Sequence, residues 1–308
     1  PSSGTVWVRH LLNFHSKGTM KIGIVGLGLI GGSLGLDFRR LGHQVLGVAR
    51  RAATGDAAIA CGAVDQASTD LQSLQAVDIV FLCTPIHVIE AIAIDLVPHL
   101  SPQTILTDVG SVKGAIVDAV TPYWPNFVGG HPMAGKTEVG IAVAEPHLFA
   151  QRAYVITPVA ATPTTAVAVL MELATALQAQ VLTCTPAQHD RAVAWISHLP
   201  VMISGSLIQA CLHEPDAHIR QLAESLASSG FCDTSRVGGG HPELGLMMAR
   251  YNRDEVLRSL QAYQQEIQQL TTLVATDQWA ALAARLTENH QARSRFIQST
   301  PGPDTAAP

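Results

Sequence analysis

The chain has 308 residues, 47% of them hydrophobic and 14% charged, with a formal net charge of −5. That composition suits a large buried core divided over two domains and excludes a disordered chain. The acidic balance, with a pI near 6.2, excludes a nucleic-acid footprint; no apolar run reaches the roughly 18 residues of a membrane span, so the mean hydropathy of +0.24 reads as core.

Residues 1–19 lack the basic start, apolar block and cleavage site of a secretory signal and read as a leader or vector extension. From residue 20 to 185 strands alternate with helices. Strands are expected at 21–25 (KIGIV), 44–49, 78–83, 104–109, 126–129, 153–157 and 180–185, and helices at 32–41 and 164–179. Continuous apolar strands between helices predict a Rossmann-type α/β domain, a doubly wound parallel sheet covered on both faces. After Pro186 the strand signal stops. Helices are expected at 188–212, 217–228, 242–275 and 277–297, broken at 213–215, at Gly230 and at 238–240. This all-α domain, 186–298, has stretches such as 192–210 that are too apolar to face water, which predicts a homodimer. Residues 299–308 read as a disordered tail. The five cysteines have no CxxC spacing, which argues against zinc or any other metal site and for a reduced, cytoplasmic setting.

Gly26-Leu27-Gly28-Leu29-Ile30-Gly31 follows a strand and opens a helix, the context a GxGxxG dinucleotide fingerprint requires. Gly26 makes the turn, Gly28 admits the pyrophosphate, and Gly31 lets the helix pack on the sheet. The phosphates meet the first helical N–H groups, around Leu29 and Ile30. An NAD binder usually carries an acid at the end of the second strand. Here that position is Ala49, followed by Arg50, Arg51 and Thr54, a set that repels nothing and can hold a 2′-phosphate. The expected cofactor is NADP. Thr84 and Pro85 end the third expected strand, at the ligand-binding edge, with His87 as a helix-start residue.

Two further loops leave strands at that edge: Asp108-Val109-Gly110-Ser111-Val112-Lys113 and Gly129-Gly130-His131-Pro132-Met133-Ala134-Gly135. Ser111 and His131 could meet one substrate hydroxyl, and histidine is the side chain suited to act as a base near neutral pH.

In GLGLIGGSLG, TDVGSVK, GGHPMAG, HDRAVAWISHLP, TSRV and PELGLMMARYNRDEV the chain resembles the prephenate/arogenate dehydrogenases of tyrosine biosynthesis, from Met20 to about Gln298. The resemblance implies oxidative decarboxylation of a cyclohexadienol, with hydride leaving the ring carbon that bears the hydroxyl. It implies His131 as the base, Ser111 positioning both hydroxyl and imidazole, Arg236 gripping a substrate carboxylate, and His198 contacting the substrate. Lys113 is either an anion-steering charge or a solvated helix-start charge; His189 and Asp190 read as structural. Many prephenate-using members read SHLPH where this chain has Val201 after Pro200. That departure and the NADP reading favour arogenate, with prephenate as the alternative. A β-hydroxyacid dehydrogenase or imine reductase would carry a catalytic lysine in the first long helix of the second domain, and 188–212 has none. A non-enzymatic NADP-sensing protein would not need Ser111, His131 and Arg236 together.

Overall fold

The computed structural model describes residues 18–136 and 138–297. The expected leader, through residue 17, and the expected tail lie outside the described residues. Eight strands, β1 (Lys21–Val25), β2 (Gln44–Val48), β3 (Gln66–Ser68), β4 (Ile79–Leu82), β5 (Ile105–Asp108), β6 (Phe127–Pro132), β7 (Ala153–Thr157) and β8 (Gln180–Thr183), form one sheet. Their order is β3-β2-β1-β4-β5-β6-β7-β8. The sequence reversal between β1 and β4 opens the crevice in which doubly wound sheets bind ligands.

Five helices cover the sheet: α1 (Leu29–Arg40), α2 (Ala52–Ala60), α3 (Ile86–Leu96), α4 (Gly114–Val120) and α5 (Thr164–Ala176). Alternate residues of the central strands feed two cores. Ile24 and Phe81 meet Leu34 and Phe38 of α1 and Leu170 of α5 on one face. Val25, Val80 and Leu82 meet Ile89 of α3 and Val117 of α4 on the other. Burial on both faces is why these strands read as unbroken apolar runs.

The sheet departs from the all-parallel expectation. β6 and β7 pair antiparallel, with His131 opposite Val155. The connection between them is a long loop rather than a crossover helix, so the chain returns along the neighbouring edge in the opposite direction. The strand at 66–68 is an addition, too short to show a pattern, and β6 runs through Pro132, so His131 lies on a strand rather than in the loop after it. The β6–β7 loop is fastened to α1: Glu145 N–H donates to Ser33 Oγ at 3.0 Å, and His147 N–H donates to the buried Asp37 carboxylate.

The second domain is helical throughout: α6 (Pro186–Val193), α7 (Leu199–Leu212), α8 (Ala217–Leu226), α9 (Ser229–Ser235), α10 (Pro242–Tyr251), α11 (Arg253–Ala275) and α12 (Trp279–Ile297). Thr185 and Gln188 form a capping box that starts α6. Between α6 and α7 the chain widens into a π turn, Ala194–His198, in which Leu199 N–H donates to Ala194 O five residues back. Pro200 has no N–H for a regular helical bond, which favours the wide turn before it. Two expected breaks move. Gly230 lies inside α9, and the expected continuous helix 242–275 is interrupted at Asn252, at φ −119° and ψ 37°. One helical run, Pro186–Leu212, is long and apolar enough to span a bilayer, with a mean hydropathy of 1.3, where the sequence reading finds none of that length. His189, Asp190 and His198 in that run face the first domain instead.

Candidate active site

The glycine loop has no room for side chains on its inner side. Gly26 sits at φ +100°, and a β-carbon there would lie 2.6 Å from Cys83 O; one on Gly31 would lie 2.0 Å from Gly26 O. A β-carbon on Gly28 would meet nothing within 4 Å, so that backbone faces open space. Gly28 is also the N-cap of α1 and brings no side chain to the helix end, which leaves the N–H groups at Leu29 and Ile30 for a ligand. Thr84 Oγ1, beside the loop, is buried with no hydrogen-bond partner. These features fit a bound dinucleotide. Beyond β2, Ala49 is buried and bonds Ser68 O through its N–H at 3.0 Å. Arg50 and Arg51 are exposed and form no ion pair among the described residues; Arg51 is the N-cap of α2 and offers that helix no side-chain cap. Thr54 lies half-buried in its first turn, and Pro85 is the N-cap of α3.

Gly26, Thr84, Ser111 and His131 all lie at the carboxyl edge of the sheet, after or at the ends of β1, β4, β5 and β6. His131 is 8% exposed, and its Nδ1 lies 2.8 Å from His189 Nε2. His189 Nδ1 in turn lies 2.7 Å from Asp190 Oδ1. Asp190 accepts the Lys113 and Gly114 N–H groups, each at 2.7 Å, at the start of α4. Burial, reinforced by His189, Lys113 and His198, holds the His131 pKa well below the ordinary histidine value. His131 is therefore a neutral imidazole at physiological pH.

Lys113 overturns both expectations for it. Its side chain has no exposure; Nζ pairs with Asp108 and donates to Gly130 O at 2.7 Å. It ties β5 to β6 beside His131 rather than steering anions or meeting solvent. His189, read with Asp190 as structural from the sequence, bonds the expected base directly, and Asp190 reaches it only through His189.

His198 is fully buried in the π turn. Asn252 Nδ2 donates to Asp190 O at 2.8 Å and faces His198 Nδ1 at 3.1 Å. The amide nitrogen can only donate, so His198 Nδ1 accepts and Nε2 carries the proton. Burial pushes the His198 pKa down to about 4, against the pull of Asp190. His198 Nε2 and Ser111 Oγ are both buried without partners. His198 also meets the Ser111 backbone, so the two atoms share one region; native proteins seldom leave such groups unsatisfied, which marks a place for a polar ligand. Val201 lies near Gly245 of α10, where a β-carbon would come within 3.4 Å of Val201 Cγ1. Arg236, the C-cap of α9, is exposed with no ion pair among the described residues and is not part of this cluster. His87 opens α3 as expected, and its Nδ1 lies 3.9 Å from Glu243 Oε1 of α10.

Residues 34–183 match the family described as "Prephenate dehydrogenase, nucleotide-binding domain", and residues 185–288 match "Prephenate dehydrogenase, dimerization domain". The chain belongs to the prephenate dehydrogenase family. The family's domain boundary falls at the capping box before α6. Among curated relatives, the prephenate dehydrogenase of Bacillus subtilis (strain 168) is 30% identical over 261 residues, 82% of this chain and 69% of that protein. The cyclohexadienyl dehydrogenase of Zymomonas mobilis is 27% identical over 277 residues, 88% of this chain and 94% of that protein. Among solved structures, Synechocystis arogenate dehydrogenase superposes with a TM-score of 0.82 at 51% identity, covering 90% of this chain and all (100%) of that one. Prephenate dehydrogenase from A. aeolicus, solved with hydroxyphenyl propionate and NAD+, has a TM-score of 0.86 at 24% identity, covering 91% and 99%. Membership of this family sets aside the β-hydroxyacid dehydrogenase and imine reductase alternatives.

Sequence reasoning missed Asp108 and Asn252, and it did not foresee the bond from His189 to His131. A signal existed for that bond: a histidine and a carboxylate side by side at a helix start are well placed to bond another element.

Proposed function

We propose that this chain is an NADP-dependent arogenate dehydrogenase that oxidatively decarboxylates arogenate to tyrosine. The observation that carries the reaction is the buried, neutral His131 at the carboxyl edge of the sheet, with His198 among its electrostatic neighbours and both His198 Nε2 and Ser111 Oγ left unpartnered. His131 takes the proton of the ring hydroxyl. Ser111 Oγ holds that hydroxyl, and His198 Nε2–H donates to the substrate from the helical domain. Arg236, exposed at the end of α9 outside that cluster, is assigned the grip on a substrate carboxylate because the family resemblance implies it. When bound, the oxidised nicotinamide serves as the hydride acceptor. Loss of carbon dioxide then aromatises the ring, which makes the reaction practically irreversible.

Three observations support the finer reading. Ala49 with Arg50 and Arg51 suits a 2′-phosphate, and the uncapped start of α2 adds free N–H groups there. Val201 presents an apolar surface beside Gly245 where many prephenate users carry histidine. The 51% identity to the arogenate enzyme points the same way. The second reading, prephenate to 4-hydroxyphenylpyruvate, is favoured by the names of most curated relatives. The active form is a homodimer through the helical domain, whose exposed Trp195, Ile196, Leu222, Leu226, Ile267 and Leu270 leave apolar surface to cover.

Initial rates with arogenate or prephenate, each with NADP or NAD, test the proposal. The highest kcat/KM is expected for arogenate with NADP. A preference for prephenate, or equal efficiency with both cofactors, would overturn the corresponding half of it.

A further inference from the structure

We propose that His189 and Asp190 are positioning residues for His131, forming with it a relay that keeps the His131 proton on Nδ1 and turns the Nε2 lone pair to the substrate hydroxyl. The inference rests on the reading of His131 as the base.

The hydrogen-bond directions follow from the end of the chain. An ionised carboxylate only accepts, so the 2.7 Å contact between Asp190 Oδ1 and His189 Nδ1 places a proton on His189 Nδ1. A neutral His189 then has a lone pair on Nε2. Only a proton on His131 Nδ1 can fill the 2.8 Å contact between the two rings. That leaves His131 Nε2 unprotonated, the form a general base requires. The charged and titratable groups packed around His189 and its partners are few. Lys113 already supplies a positive charge, Asp190 is occupied by two backbone N–H groups, and His198 and Cys184 are the other titratable neighbours.

The relay also accounts for where the charge goes. As the substrate O–H bond breaks, its proton passes to His131 Nε2. The proton on His131 Nδ1 moves to His189 Nε2, and the positive charge then faces the Asp190 carboxylate. The electron pair of the carbinol C–H bond leaves as hydride for the nicotinamide dinucleotide. Asp190 belongs to α6 of the helical domain, yet its carboxylate is held by the start of α4 in the first domain. The relay is complete only while the two domains are docked.

The test uses the full chain labelled with 15N-histidine, and long-range proton–nitrogen correlation spectra that distinguish the two imidazole tautomers without any substrate. His131 is expected as the Nδ1–H form. In H189L it should shift towards the Nε2–H form, with kcat falling by roughly 10²–10⁴-fold and KM little changed, the range of losing general-base catalysis. In H189Q the amide oxygen can still accept from His131 Nδ1, so the tautomer should be retained, while kcat remains below that of the unmodified protein because an amide cannot take the proton. H189Q also carries the test should H189L fail to fold. An Nε2–H His131 in the unmodified protein, or a His189 variant with unchanged tautomer and unchanged kcat, would overturn the relay. Full turnover in H131N would instead overturn the assignment of the base itself.

Discussion

Lys113 and Asp108 are paired with no solvent exposure on either side chain, between the strands β5 and β6. Asp108 also accepts the Gly110 N–H at 2.8 Å and the Gly130 N–H at 3.2 Å, so one carboxylate organises both the Ser111 loop and the strand of His131. Burial lowers the Lys113 pKa, and the Asp108 charge opposes that shift. Lys113→Met would leave this carboxylate buried without its cation, which typically costs about 3–5 kcal/mol. Denaturant or thermal unfolding should show a loss of that order. A variant as stable as the unmodified protein would show that the pair does not hold the strands together.

The pH dependence of kcat/KM reports the free enzyme's base. His131 must be neutral to accept a proton, and its pKa is lowered well below the ordinary value of 6.5 by burial first and its cationic and histidine neighbours second. The rate should therefore stay level as pH falls through 6.5 and decline only at more acidic pH. His131→Asn should lower kcat by about 10²–10⁴-fold while sparing cofactor affinity. An acid limb centred at 6.5 or above would contradict this environment for His131.

His198 should leave a mark on stability rather than rate in the same acid range. Its folded pKa is about 4 against 6.5 for the unfolded side chain. As pH drops from 6.5 towards 4, the unfolded chain binds a proton that the folded site refuses, so stability is present above 6.5 and lost through that window. One proton corresponds to about 1.4 kcal/mol per pH unit. His198→Gln should reduce the slope of unfolding free energy against pH by up to that amount between pH 6.5 and 4, measured by urea titration. An unchanged slope would place the acid sensitivity elsewhere.

For the cofactor, Arg50→Ala should raise the KM for NADP and leave that for NAD almost unchanged. A charge-assisted bond to phosphate contributes about 1.5–3 kcal/mol, roughly 10- to 150-fold. Adding Ala49→Asp places an acid at the end of β2, which should improve NAD and repel the 2′-phosphate. Parallel losses for both dinucleotides would show that Arg50 acts on something they share.

The first domain was legible because its signals are local. KIGIV before GLGLIG combines a strand buried on both faces with a turn that has no space for β-carbons, and both properties are written in adjacent residues. What escaped depends on partners distant in the chain. Gly129-Gly130-His131-Pro132 looks like a loop, yet it is a strand because Asp108, Thr157 and Tyr154 crowd the two glycines and β7 pairs with it. Asn252 breaks a helix without any glycine or proline, held by Asp190 and His198, 62 and 54 residues away. Lys113 looks solvated at a helix start because nothing nearby in sequence reveals Gly130 as its acceptor. The same distance hid the link from His189 to His131, 58 residues apart.

The place where Asp190 meets the backbone of Lys113 and Gly114 bears on how such an enzyme can be taken apart. The two family matches meet near residue 185, but the Asp190 carboxylate ties one half to the other across that boundary. A hybrid joining this nucleotide-binding half to a relative's helical half would inherit an intact glycine loop and an intact bundle. Its chemistry would still depend on whether the incoming helix offers a carboxylate to those two N–H groups and an imidazole to His131. Compatibility between halves is thus decided by a few atoms at the seam, however well each half folds by itself.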